Sequence, residues 1–171
     1  SFSPIFGSSY ESRDIPTLRS NLEKISKSYK EKDNYYLNEE IAQKLNIYIH
    51  NNSTEFLEDT SVEILIPKSD KYIIRDSIFS KPYSTHPLIK TSPRVASWSE
   101  LNYPNVEIKE DYYKITEEIG NVKHKLPTEG LKVPLRLVIL DQNDNLSIEM
   151  DVKIFAKNIE KPIQKKLKIN L

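Results

Sequence analysis

From Lys44 to the end of the chain, apolar side chains recur at every second position, and this period constrains the fold more than any other feature of the sequence. "KLNIYIHNN" sets Leu45, Ile47 and Ile49 on one face and Asn46, Tyr48 and His50 on the other. "SVEILIP" repeats the pattern with Val62, Ile64 and Ile66, the stretch from Asn51 to Asp59 connects the two, and "KYIIRDSIF" offers a third strand. "VEIKEDYYKITEEIGNVKHKL" alternates as well and carries Gly120-Asn121, a pair suited to a tight two-residue hairpin turn because glycine accepts positive φ. Later runs align Leu135, Leu137 and Ile139, then Ile148, Met150, Val152 and Ile154, then Leu167, Ile169 and Leu171. Short strands in series with no helix between them pair antiparallel. At this size they predict an all-β, immunoglobulin-like antiparallel β-sandwich of about seven or eight strands.

The period differs before Lys44. Ile15, Leu18, Leu22, Ile25 and Tyr29 follow one another at spacings of 3, 4, 3 and 4, with Asp14 and Pro16 placed as cap and first-turn residues. This predicts an amphipathic helix over 14–33, preceded by a tail at 1–13 and followed by a β-sandwich domain at 34–171. The stripe has the heptad period of a coiled-coil seam but lasts little more than two heptads, so packing on the domain that follows is favoured over dimerisation. Residues 34–42, "NYYLNEEIA", fit helix and strand equally.

Composition removes several classes of function. Lys+Arg and Asp+Glu both number 25, so no net field draws in nucleic acid or an anionic membrane. The absence of cysteine excludes disulfides, thiolate metal sites and thiol nucleophiles, and leaves cytosol and periplasm both open. Three glycines provide few places for backbone to approach a phosphate closely. No run approaches the roughly 18 apolar residues of a membrane span. The chain opens on Ser1 without an initiator methionine and stops inside an apolar strand pattern at Leu171, which predicts a fragment of a longer protein.

"LDQNDNLSIEM" at 140–150 has the look of a calcium loop, but an EF-hand beginning at Asp141 requires glycine and a bidentate carboxylate where Leu146 and Val152 stand. Its D-Q-N-D-N letters resemble the D-x-N-D-N linker of cadherins, yet strand-like sequence continues beyond it; a hairpin turn is the better expectation. His50, His86 and His124 are too widely spaced for a zinc motif, so no metal or other cofactor is expected. No G-x-S-x-G elbow occurs, and the adjacent carboxylates Glu39-Glu40 and Glu117-Glu118 read as solvated surface, leaving no candidate catalytic residue. The overlapping acceptor triplets at Asn51 and Asn52 carry no weight.

Residues 80–105 hold Pro82, Pro87, Pro93 and Pro104 and predict a long loop, since proline removes a ladder donor. Their spacing never forms P-x-x-P, and Tyr83, Leu88, Ile89, Trp98 and Tyr103 offer means of pinning the loop to the body. Candidate partner-binding residues are therefore Tyr83, Trp98 and Tyr103 on this loop and Leu18, Leu22 and Ile25 on the helix. Lys161, Lys165, Lys166 and Lys168 form a basic patch near the C-terminus, expected as protection of an edge strand before phosphate contact.

"LNIYIHNNSTEFLEDTSVEILIP" at 45–67 and "GNVKHKLPTEGLKVPLRLVIL" at 120–140, followed by "IEMDVKIFAKNIEKPIQKKLKI", resemble the C-terminal β-sandwich region of bacterial proteins that begin with a Schlafen-type AlbA domain, described as DNA-binding or ATP-binding. The resemblance rests on Asn51, Asn52, Glu58, Asp59 and Pro67, and on the phrase around His124, Leu126, Pro127, Thr128 and Glu129. It implies a cytoplasmic, non-enzymatic accessory sandwich that contacts other domains or chains of a larger nucleic-acid-handling or defence-type effector. Nucleic acid would then be met only through the parent protein, and no functional residue carries over. The alternative is an extracellular or periplasmic glycan-binding or adhesin-type module, which requires Tyr48, Tyr83, Trp98 and Tyr103 exposed on one rim. An enzyme would require a pocket in which carboxylates or histidines converge.

Overall fold

The computed structural model describes residues 14–82, 96–140 and 145–171. The predicted tail at 1–13, Tyr83 and most of the proline-rich loop, and positions 141–144 lie outside them. Helix α1 runs from Ile15 to Tyr35 with Pro16 in its first turn, and continues without a break into a π-helical turn, Tyr36–Ile41. The helical segment thus extends beyond the predicted limit of residue 33, and the ambiguous stretch at 34–42 resolves mainly as helix.

Ten strands follow among the described residues: β1 (Gln43–Leu45), β2 (Tyr48–His50), β3 (Leu57–Pro67), β4 (Tyr72–Ile74), β5 (Asn105–Ile108), β6 (Tyr112–Val122), β7 (Pro127–Glu129), β8 (Leu135–Ile139), β9 (Ser147–Phe155) and β10 (Ile163–Asn170). A short helix, α2 (Trp98–Leu101), precedes β5 and begins with a capping box in which Ser97 and Glu100 satisfy each other's backbone N–H. All strand pairs are antiparallel, in a five-stranded sheet ordered β10-β9-β3-β6-β5, a three-stranded sheet ordered β1-β8-β4 and a two-stranded pair β2-β7.

The alternation read from the sequence decides which side chains are inside. Val62, Ile64 and Ile66 of β3, Tyr113 and Ile115 of β6, and Ile148, Met150 and Val152 of β9 share one face of the large sheet. They form a single core with Tyr72 and Ile74 of β4 and Leu135 and Leu137 of β8. A smaller cluster of Ile49, Leu57 and Val122 lies beside it. The opposite face of the large sheet carries a row of alternating charge. Glu63 on β3 lies between Lys153 on β9 at 3.2 Å and Lys114 on β6 at 3.0 Å, and a further pair joins Lys109 to Glu107. The Lys114 hydrogen bond holds the Glu63 carboxyl below the usual carboxylate range, against the opposing effect of burial.

Three local expectations are corrected. Gly120-Asn121 is not a hairpin turn: Gly120 lies inside β6 at φ +82°, opposite Thr60, where the register shifts twice. Positive φ is used there for a bulge, and Asp59, at φ 46°, is on the partner strand with its N–H bonded to Asn121 Oδ1 at 3.1 Å. The stretch at 140–146 does not join a hairpin either, because β8 and β9 belong to different sheets. The run from Leu45 to Ile49 is two strands, with the chain changing sheet at Asn46. The Asn46 amide spans that break, accepting from Ile47 N–H at 2.8 Å and Leu131 N–H at 3.2 Å and donating to Leu131 O at 3.0 Å.

Ile64 is 1% exposed at the centre of the shared core, whereas Leu22 on α1 is 67% exposed. Ile64→Ala is expected to lower unfolding free energy by about 2–5 kcal/mol in chemical denaturation, and Leu22→Ala to change it by no more than about 0.5 kcal/mol.

Candidate functional site

The helix seam is where sequence and structure differ most usefully. None of the residues of α1 is buried. Leu22 at 67% and Ile25 at 48% stand in solvent with Ile15 and Tyr29, and Leu18 is only half-buried. The expectation that the seam packs on the following domain is therefore corrected. The heptad stripe is largely apolar surface, and among the described residues the π turn at its C-terminal end is what grips the body.

That grip is a polar network the sequence did not disclose. A π turn widens the helix, and here the adjacent residues Asn38 and Glu39 both reach the outer face of the three-stranded sheet. Arg136 of β8 donates from Nε at 3.0 Å and Nη2 at 2.9 Å to Glu39 Oε2, with both side chains only 9% exposed. The other Glu39 oxygen accepts from Phe79 N–H at 2.9 Å, and Arg136 Nη1 donates to Pro134 O at 2.6 Å. Asn38, also buried, accepts from Arg75 Nε and donates to Asn34 O. Glu39 is thus not the solvated carboxylate expected from the sequence. The signal for it was Arg136 itself, a lone charge within the apolar run "VPLRLVIL", which burial obliges to find a partner.

Tyr103 belongs to the same network. Its hydroxyl donates to Arg75 O and accepts from Arg136 N–H, each at 3.0 Å, and its ring lies 5.9 Å from the Arg136 guanidinium. Burial pushes its pKa up to about 12, partly offset by Arg136. A phenol so placed is a neutral hydrogen-bonding post at physiological pH. Tyr103 therefore ties the end of the loop to the body through its hydroxyl, as one sequence expectation had it, while its ring is half-buried. Trp98 is different: at 62% exposed it does not pin the loop. Tyr48 is exposed on β2, bonded to Glu129 of β7. Of the aromatic rim that a glycan-binding module requires, Tyr48 and Trp98 are exposed, Tyr103 is half-buried, and Tyr83 lies outside the described residues.

An apolar groove of about 610 Å³ opens between residues 51–57 and the β9–β10 hairpin. It forms because β10 sets Ile163, Lys165 and Leu167 on the same face as Ile154, Val152 and Met150. Asn51, buried at its rim, holds the 51–55 turn by donating to Glu55 O at 2.7 Å and accepting from Ser53 N–H at 3.0 Å. Strand β10 is an edge of the large sheet, as the lysines predicted. Lys166 and Lys168 pair in register with Asp151 and Glu149, so half of the basic patch faces carboxylates. Lys161 and Lys165 are exposed. His50 and His124 are exposed as well, and among the described residues no group of three His, Asp or Glu side chains is disposed to hold a metal ion. Among the described residues no helix is long and apolar enough to cross a membrane.

Compared with known proteins, the chain matches no family model, no curated sequence and no solved structure.

Because Glu39 and Arg136 are desolvated together, removing one leaves a buried charge without its partner. Glu39→Gln is expected to destabilise by about 3–5 kcal/mol, while Glu39→Gln with Arg136→Met costs less than the two single changes summed, as a double-mutant cycle by denaturant titration would measure. Tyr103 yields a pH signature. Its folded pKa of about 12 exceeds the ordinary value of 10.0, so its contribution is complete below pH 10 and is lost as pH rises towards 12. Wild type should lose on the order of 2–3 kcal/mol more than Tyr103→Phe across that window.

Proposed function

We propose that this chain is a non-enzymatic accessory module, an immunoglobulin-like β-sandwich with a projecting N-terminal helix, that mediates protein–protein or assembly contacts within a larger intracellular bacterial protein. The observation that carries the reading is the apolar seam of α1, left in solvent on a helix whose root is clamped by the buried Glu39–Arg136 pair. Apolar surface of that regularity on a rigid support is a contact surface. The common core of the five- and three-stranded sheets supports the two-layer sandwich.

The resemblance to proteins with a Schlafen-type AlbA domain supports the parent-protein part of the reading. The two phrases on which it rests meet in space: β2 pairs with β7, setting His50 opposite Pro127 and Tyr48 opposite Glu129, and Lys125 N–H bonds Asn51 O at 2.8 Å. The carboxylate partners of Lys166 and Lys168 favour edge protection over phosphate contact for the C-terminal lysines.

A photo-crosslinking residue placed at Leu22 or Ile25 in the source cell is expected to give protein adducts, whereas one at Lys27, on the polar side of the helix, gives none. Adducts from neither seam position, or from Lys27 equally, would overturn the reading.

A further inference from the structure

We propose that the partner of α1 is α1 of a second copy of this chain, paired in parallel and in register as a short coiled coil. This rests on the assembly reading above and names its partner. With Ile15, Leu22 and Tyr29 as a positions, Leu18 and Ile25 are d positions. The charged residues Glu23, Lys24, Lys27, Lys30 and Glu31 then all fall at b, c and f, away from the seam. A 3.5-residue apolar period matches a surface of the same period, which a supercoiled helix presents and a sheet does not. Among the described residues the body leaves the seam open: Ile15, Leu22, Ile25 and Tyr29 are exposed and Leu18 is half-buried.

Charge selects a second copy and its direction. Asp14, the N-cap residue just before the helix, stands where the heptad count puts a g position, and Arg19 is the e position that follows it, so a parallel two-fold pair sets Asp14 of each copy towards Arg19 of the other. The remaining pairs between g and e, Asn21 with Ser26 and Ser28 with Asp33, contain no like charges. The seam is roughly 21 Å long at 1.5 Å per residue. Its period then ends at Lys32, a d position, just before the π turn that ties the helix to β8. Two bodies would hang from the same end of the stem without sharing a core.

Sedimentation velocity of the full chain over a concentration series tests this. Wild type is expected to form a dimer that dissociates on dilution. Leu22→Asp and Ile25→Asp are expected to be monomeric at every concentration, with the unfolding midpoint of the body unchanged because neither residue is buried. Asp14→Arg and Arg19→Asp each weaken self-association tenfold or more, and an equimolar mixture of the two restores it as a heterodimer, since both cross-pairs are again opposite in charge. A wild type that stays monomeric, a dimer that survives Leu22→Asp, or a mixture no tighter than its components overturns the proposal. Wild-type monomers that still give seam adducts to another protein in the cell would leave the accessory-module reading standing and refute only the choice of partner.

Discussion

Glu39 and Arg136 bring a carboxylate and a guanidinium together where each side chain is only 9% exposed, and the position of the helix relative to the sheets depends on them. A buried pair of this kind adds little net stability, because desolvation of both ions offsets their attraction. What it adds is direction. Two N–H groups of one guanidinium converge on one carboxylate oxygen, and the other oxygen takes Phe79 N–H, so the side chain that ends the helix has one orientation. Asn38 and Arg75 fix the neighbouring position, and the Tyr103 hydroxyl joins Arg75 to Arg136 through backbone groups. Strand, loop and helix are thereby locked by side chains that share hydrogen bonds.

Much of this architecture was legible, and the reason is burial. The alternation of Val62, Ile64 and Ile66, and of Ile148, Met150 and Val152, survives because one face of the large sheet is packed and the other is wet. Glu63 opposite Lys153 and Lys114 marks the wet side as clearly as the isoleucines mark the dry one. Periodicity does not encode which strand pairs with which. Gly120 was misread because positive φ serves a turn and a bulge equally, and the choice rests on Thr60 across the ladder. The 140–146 connection was misread for the same reason: local turn chemistry is indifferent to whether the next strand joins the same sheet. Strands β1, β2, β4 and β7, three residues each, are too short to carry a period of their own.

The candidate site was legible in composition and not in placement. Leu18, Leu22 and Ile25 were identifiable as a stripe, yet a stripe of this length fits the chain's own body and a foreign helix alike. The chain's hold on its own body falls instead at the π turn, through Asn38 and Glu39. Asn38 gave no hint in sequence, since an asparagine near a helix end ordinarily signals a cap. Trp98 and Tyr103 are five residues apart and have opposite fates, because the hydroxyl of Tyr103 meets two backbone groups of the small sheet while the indole of Trp98 stays outside.

The π turn also determines how the helix would carry a load. A rod of 21 residues, about 30 Å at 1.5 Å each, is fastened through Glu39 to the middle strand of a three-stranded sheet, whose two neighbours hold it by antiparallel ladders. A pull or twist at the far end would reach β1 directly through the chain at Ala42 and β8 through Glu39, two neighbouring strands of the small sheet. The small sheet would take up torque first, with the large one behind it as ballast.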